Sequence, residues 1–380
     1  MELYIFNPEH DYALANNDPH FMAPASSVRF AADCALFLQH VTPDDSVIYL
    51  PYAAGGRFFS TSEKRHVPKP ASVSTIKPWG WDPLVLRQIQ EVFPGWNAPA
   101  GAVESVRRTA HRRNTAEALA FLRSHCAAGM EFPEPAAELF HTEEMEAYVR
   151  ERREVIFKSP FSGNGRGHLY AHGSCPPTLL RQGAGVIRRQ GSILAEPLYD
   201  VAQDFAMEFR CQDGDARFAG YSLFNTSHYG YAGNHLLPDA AIEDRLSLRF
   251  PRERLHDVRD ALERYLQLHV APVYDGYVGV DMFLHRQGGQ TRLNPMVEMN
   301  IRMTMGMVAH ILTERHLHPK SGGIMRLEHD AAPGGLLRRA RQRPPLVVRD
   351  GRWVEGFASL NPIGEETQYA ITVHIHKTHP

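Results

Sequence analysis

The sequence predicts an α/β fold that passes, beyond residue 105, into mixed α+β structure. Three observations carry that prediction. Strand-like and helix-like runs alternate over residues 1–105. Strand pairs about glycine turns recur between residues 150 and 300. The composition, 43% hydrophobic and 22% charged over 380 residues, is that of a globular protein long enough for about two or three domains.

Residues 3–6, 46–50 and 72–76 read as short buried strands. Residues 26–40 read as a helix with an apolar stripe of Val28, Ala31, Ala32, Ala35, Leu36 and Leu38, and 83–93 as another through Leu84, Leu86, Ile89 and Val92. Such alternation implies a mostly parallel sheet covered on both faces, with its binding crevice at the carboxyl ends of the strands. The loops expected there are Asn7-Pro8-Glu9-His10-Asp11-Tyr12, Pro51 to Arg57 and Lys77-Pro78-Trp79-Gly80-Trp81-Asp82. Asn, Pro, Asp and Gly are ordinary turn formers. A loop that needs only to turn has no use for His10, Asp11, Trp79 and Trp81, which makes these four candidate substrate contacts.

Pro94 to Gly101 reads as a boundary. Beyond it, 115–126 and 143–151 read as helices, 154–157 as a strand entering a glycine-rich loop, and 191–196 as a strand. Residues 205–211 and 216–224 read as an antiparallel pair about Asp213-Gly214. Residues 255–268 form an amphipathic helix on Val258, Leu262, Tyr265 and Leu266, and 303–317 a further helix. The polar, aromatic stretch 225–235 reads either as a lid, with His228 a substrate candidate, or as an exposed loop. Arg210 and Glu208 read as a structural ion pair. From Pro319 the chain looks looser, with an exposed basic connection at 338–343 and short antiparallel strands at 346–348, 353–360 and 369–376. Three regions result: 1–105, 106–318 and a C-terminal extension, 319–380.

A net charge of −2 argues against a general binder of nucleic acid or membrane surfaces. No apolar run approaches the roughly 20 residues of a membrane span. The start, Met1-Glu2-Leu3-Tyr4-Ile5-Phe6, enters a strand without a basic leader, so a cytoplasmic location is expected. Cys34, Cys126, Cys175 and Cys211 are far apart and form no CxxC pair, which favours reduced thiols. His374 and His376 alternate with Val373 and Ile375, as on the wet face of a strand, which reads better than a metal site.

The chemistry gathers in two segments. Gly279-Val280-Asp281 and Pro295-Met296-Val297-Glu298-Met299-Asn300-Ile301-Arg302 read as strands joined at Gly288-Gly289. Alternation puts Glu298 and Asn300 on one face, and with Asp281 they make an all-oxygen site for a hard cation such as Mg2+. Upstream, Lys158 precedes Ser159-Pro160-Phe161-Ser162-Gly163-Asn164-Gly165-Arg166-Gly167. A lysine followed by glycines suits the phosphates of a nucleotide, through its charge and through close backbone approach. No GK[ST] comes after it, so this is not a Walker loop. The next residues, His168-Leu169-Tyr170-Ala171, read as a return strand rather than the helix that a dinucleotide-binding glycine turn opens.

The order of these segments resembles the ATP-grasp superfamily over about residues 106–318. The resemblance rests on Val155 to Pro160 with Ser162 to Gly167, Ile193-Leu194-Ala195-Glu196-Pro197-Leu198, Gly279 to Asp281, and Glu298 to Arg302. It implies a Rossmann-like N-terminal pre-ATP-grasp domain, which often helps bind the second substrate, followed by two α+β lobes. By that likeness Lys158 contacts ATP phosphates under the loop of Ser162, Gly163, Gly165, Arg166 and Gly167. Glu196 and Leu198 belong to the adenine hinge and Asp204 holds the ribose. Asp281, Glu298 and Asn300 hold Mg2+ or Mn2+, and Arg302 faces the transferred phosphate. The family's second nucleotide-contacting lysine has no counterpart in His111-Arg112-Arg113-Asn114-Thr115, where Arg112 or Arg113, with Arg113 taken as the candidate, would substitute. Pro197 removes one hinge N–H.

The implied activity is ATP-dependent ligation of a small carboxylate, such as an amino acid or peptide, to an amine through an acyl phosphate, with Lys158 and Arg302 catalytic. Small-molecule substrates are expected, and neither nucleic acid nor membrane; a homodimer is left open. The rivals are a small-molecule kinase of the same superfamily, a non-catalytic nucleotide-binding module, and an unrelated α/β protein whose motifs are hairpin turns.

Overall fold

The computed structural model describes residues 1–53, 57–163, 167–227 and 230–378. Short apolar strands alternating with helices build the first sheet from β1 (Glu2–Ile5), β2 (Val47–Leu50), β3 (Arg57–Ser60), β4 (Arg65–Val67) and β5 (Thr75–Pro78). Its order is β4-β3-β2-β1-β5. β1 runs parallel to β2 and to β5, whereas β2, β3 and β4 are antiparallel neighbours. The sheet is therefore mixed rather than mostly parallel. The chain leaves β1 toward β2 on one side and returns as β5 on the other, which opens a crevice at the carboxyl end of β1.

Five helices lie between and after these strands: α1 (His10–Asn16), α2 (Ala25–Cys34), α3 (Pro83–Val92), α4 (Ala102–Ala110) and α5 (Asn114–His125). The segment expected to be the first loop is in fact helical from His10, so His10 and Asp11 occupy the first turn of α1. The helix expected over 26–40 breaks at Cys34, and Ala35–His40 continues as a tighter 3-10 turn. At three residues per turn Ala35 and Leu38 share a face, and both are buried beside Phe37. The side chain of Asp82 caps α3 by accepting from the Val85 amide at 2.9 Å.

A small lobe comprises β6 (Ala137–Leu139), α6 (Thr142–Arg152), β7 (Glu154–Lys158), β8 (Leu169–His172), α7 (Pro177–Gln190) and β9 (Ile193–Pro197), in the order β6-β9-β7-β8. It has its own hydrophobic cluster, centred on Met145, Val149, Val155 and Phe157.

The large sheet has nine strands: β10 (Asp200–Gln212), β11 (Asp215–Ser227), β12 (Gly230–Leu236), β13 (Gly276–Gln287), β14 (Gln290–Asn300), β15 (Ser321–His329), β16 (Val347–Arg349), β17 (Arg352–Ser359) and β18 (Tyr369–Lys377). Their order is β14-β13-β10-β11-β12-β15-β18-β17-β16. Helices α8 (Asp239–Ser247), α9 (Arg252–His269), α10 (Met305–His316) and α11 (Gly335–Arg341) complete the chain. The turn between β13 and β14 uses Gly288 at φ 59° and Gly289 at φ 77°, a left-handed pair that matches the twist of a two-residue hairpin.

Two sequence readings change here. Residues 225–235 form no separate loop, because the described part of that stretch is divided between β11 and β12. Residues 319–380 are no loose extension, because β15 to β18 continue the sheet that carries β13 and β14. Much of the run 338–343 is helical in α11, where Arg339 pairs with Asp330 at 2.5 Å, and Arg343, just beyond the helix, pairs with Glu328 at 2.5 Å. One core cluster also unites Phe6, Phe37 and Trp79 with Met325, Ile371 and Val373, so the C-terminal strands pack against the N-terminal domain. Among the described residues, no helix is long and apolar enough to cross a membrane.

A chain ending at residue 318 is accordingly expected to lose the cooperative thermal transition of the full protein. Calorimetry on both chains checks this, and an unchanged sharp transition would mean that the strands beyond 318 are dispensable.

Candidate functional site

Register, more than sequence proximity, assembles the site. β13 and β14 pair so that Asp281 lies opposite Glu298 and Gly279 opposite Asn300. β10 extends both rungs, with Ala206 beside Asp281 and Glu208 beside Gly279. Residues opposed across an antiparallel pair share a face, so Asp281, Glu298, Asn300 and Glu208 crowd one side of the sheet.

Asn300 Nδ2 donates to Asp281 Oδ2 at 3.1 Å, and Arg302 Nη2 donates to Asn300 Oδ1 at 2.9 Å. Arg302 then grips Asp11 of α1, Nε to Oδ1 at 3.3 Å and Nη2 to Oδ2 at 3.1 Å. On the other flank Arg112 Nη2 meets Glu298 Oε2 at 2.5 Å. The same guanidinium donates to Ser162 Oγ at 2.8 Å, to the Ser162 carbonyl at 3.2 Å and to the Ser159 carbonyl. Glycine loop and acidic rung thus lie within reach of one side chain.

Desolvation, and then the negative charge of Glu298, push the Asp281 carboxyl up to about 7. Burial also raises Glu208 to about 8, although Thr304 Oγ1 donates to it at 2.8 Å. Burial works in the same direction on Asp11, but the charge and hydrogen bonds of Arg302 outweigh it and hold Asp11 below the ordinary carboxylate range. A divalent cation would relieve the repulsion between Asp281 and Glu298. Two carboxylates and an amide oxygen are hard donors that suit Mg2+. Asn300 turns its nitrogen toward Asp281, and a half-turn of the amide would present its oxygen instead. Among the described residues, no three His, Cys, Asp or Glu side chains gather as a metal site.

In the small lobe, Lys158 ends β7, buried, with Nζ donating to Glu196 Oε2 at 2.8 Å. The Leu198 amide donates to the Glu154 carbonyl at 2.9 Å. Asp204 accepts from Thr226 Oγ1 at 2.9 Å. Gly163 packs so closely on Asp11 that a Cβ there would strike its carboxylate, and Gly167 adopts φ 88°. Gly165, Arg166 and His228 lie outside the described residues. Arg113 points outward, paired with Glu138 at 3.1 Å.

Of the candidate substrate contacts among the described residues, only Asp11 joins the acidic rung, through Arg302. His10 is buried, with Nδ1 3.4 Å from Asp82 Oδ2. Trp79 is buried edge-on against Phe6 at 5.1 Å, and Trp81 stacks on Trp96 at 6.0 Å. Both indoles pack into the core, although the Trp79 carbonyl accepts from the Met303 amide at 2.8 Å and so steadies the segment after Arg302.

Sequence reasoning undervalued Arg112 and missed Glu208. The expected partner of Glu208, Arg210, is exposed, and Glu208 instead turns inward to Thr304. The signal for Glu208 was its even spacing from Asp204 on a strand, which takes on meaning only once β10 is known to lie beside β13.

The meeting of a small α+β lobe with a large sheet over an acidic rung defines the ATP-grasp fold, and this chain has it. Biotin carboxylase from Campylobacter jejuni, solved as a β-γ-ATP complex, matches 100% of this chain and 88% of its own length, with a TM-score of 0.54 at 12% identity. N5-carboxyaminoimidazole synthetase from Staphylococcus aureus, complexed with ADP, matches 100% of this chain and 93% of its own, with a TM-score of 0.49 at 11% identity. The first likeness carries the fold assignment. No family model matches the chain, and no curated protein sequence does.

The raised Asp281 carboxyl has a definite pH signature. Its proton is held in the fold up to about 7 but is released near 3.8 in the unfolded chain. The stability it contributes is complete below that lower value and is lost as the pH rises through about 7. Without metal, Asp281→Asn is therefore expected to gain melting temperature relative to wild type between pH 5 and pH 8. A constant offset across that range in paired thermal scans would contradict the assignment.

Proposed function

We propose that this protein is an ATP-dependent ligase that joins a small carboxylate to an amine through an acyl phosphate. The observation that carries the reading is the span of Arg112, which touches both Ser162 of the glycine loop and Glu298 of the acidic rung. Phosphates laid beneath that loop would meet the rung directly.

Asp281, Glu298 and Asn300 are the residues that would hold Mg2+. Bound there, the ion would neutralise phosphate charge and orient the triphosphate. Lys158 would offset charge on the phosphates after exchanging its bond to Glu196 for one to nucleotide. Arg302, anchored by Asp11 and Asn300, would face the transferred phosphoryl group and the carboxylate that attacks it. Catalysis of this kind is mainly positioning and preorganised charge. The substrate carboxylate oxygen bonds to the γ-phosphorus as the bond to the β-bridging oxygen breaks, releasing ADP. The amine then attacks the acyl carbon and expels inorganic phosphate, so no protein nucleophile is required. Glu208 lies one rung beyond Asp281, and its protonated form could hydrogen-bond a substrate oxygen or amine. Four free thiols fit a reducing, cytoplasmic setting.

The test is a screen of amino acids and small carboxylates for ADP release with MgATP, using hydroxylamine as the amine so that an acyl phosphate is trapped as a hydroxamate. Asp281→Asn and Glu298→Gln are expected to lower ADP release by about a hundredfold or more while the fold is retained. A stable phosphorylated product formed with no amine would point to a kinase instead. Full activity in both variants would remove the metal assignment.

A further inference from the structure

A buried cation, Arg112, is paired with one of the residues that would bind metal. Arg112 leaves the turn between α4 and α5, is 3% exposed, and reaches two elements at once. Nη2 takes Glu298 Oε2 at 2.5 Å, while Nη1 and Nη2 take Ser162 at 2.8 and 3.2 Å. Its Nε is buried with nothing to donate to. A guanidinium is a fork whose parallel N–H groups match a phosphate as well as a carboxylate. Here the fork is only partly satisfied, and one of its prongs holds a metal ligand.

We propose that Arg112 is a latch that keeps Glu298 from metal until a triphosphate arrives, so that the cation enters with the nucleotide and not before it. This rests on the reading that MgATP binds here.

Two charge arguments support the latch. A divalent ion on Glu298 would lie within a few ångströms of a fixed positive guanidinium in a poorly solvated cleft, where repulsion is strong. Polyphosphate reverses the balance, because its oxygens offer Arg112 a second anion and leave Glu298 free for the cation. The idle Nε supplies the additional donor for that exchange. The packing agrees. The small lobe has its own hydrophobic cluster, and Ser159 and Ser162 lie on the loop that leaves its strand β7. Arg112 therefore ties that loop to the large sheet through polar bonds that a ligand can replace. Arg113, one residue along, points away to Glu138 and cannot take over the role.

The latch predicts effects of opposite sign for two probes. Free Mn2+, titrated without nucleotide and followed by electron paramagnetic resonance, is expected to bind Arg112→Gln about tenfold more tightly than wild type. The Mn2+ complex of a non-hydrolysable ATP analogue, followed by calorimetry, is expected to bind the same variant about tenfold more weakly. Arg112→Lys, which keeps the charge but loses the fork, should fall between the two on both probes and covers the case in which the glutamine variant fails to fold. An arginine that merely held the fold together would weaken both probes in parallel. Free Mn2+ affinity unchanged or lowered in folded variants that still bind the nucleotide complex overturns the latch alone. Failure of wild type to bind the nucleotide complex overturns both the latch and the proposed function.

Discussion

Two carboxylates held on one rung of a sheet repel each other, and much of the surrounding structure offsets that repulsion. The register of β13 against β14 leaves Asp281 and Glu298 no freedom to part. Arg112 neutralises Glu298 from one flank, and Asn300 hydrogen-bonds Asp281 from the other. Arg302 bonds Asn300 and recruits Asp11 from the N-terminal domain. The orientation of the first domain over the large sheet is thus tied to the electrostatics of a site formed some three hundred residues later in the chain. Hydrophobic packing reinforces the tie, since the cluster that contains Phe6 and Trp79 also contains Val308 and Ile371.

Much of this was legible because it is local. The glycine pair at 288 and 289 marks a tight hairpin, and period-two alternation places Glu298 and Asn300 on one face, but it takes a register irregularity between Asp281 and Phe283 to set Asp281 opposite Glu298 rather than Met296. The long helix α9 announced itself by its apolar spacing and was found within a few residues of its expected ends. What could not be read was set by distant contacts. Arg112 and Arg113 are adjacent and chemically identical, and only the angle at which α4 hands over to α5 decides which one enters the cleft. Trp79 and Trp81 follow a parallel strand where ligands commonly bind, yet aromatic partners from the residue after β1, the 3-10 turn and the segment after α3 claim them for the core. Helix α1 has only seven residues and no side-chain cap, so its beginning left no mark in the sequence.

The buried carboxyls form a pattern of their own. Asp281, Glu208 and Glu9 are all raised, to about 7, 8 and 7, chiefly by loss of water. Glu9 shares a hydrogen bond with Tyr52 at the carboxyl end of the first sheet, whereas Asp281 and Glu208 line the large sheet. Acidic groups kept short of cations cost stability at neutral pH, and proteins commonly carry such costs where chemistry needs them. Asp11, in contrast, is fully served by Arg302 and stays ionised, which suits an anchor rather than a reagent.

The position of β18 has a consequence for how the chain becomes a protein. This strand inserts between β15 and β17, although both precede it in sequence. A nascent chain that has emerged only as far as β17 can build the sheet no further than β15. Its backbone groups there stay open to stray pairing, because an unfilled edge is a template for any passing strand. Until β18 arrives, the face that will cover Phe6 and Trp79 is also incomplete. During synthesis the face of the N-terminal sheet that carries Phe6 and Trp79 therefore has to wait for residues near 370 before it is covered, and that interval is when a chaperone would matter most.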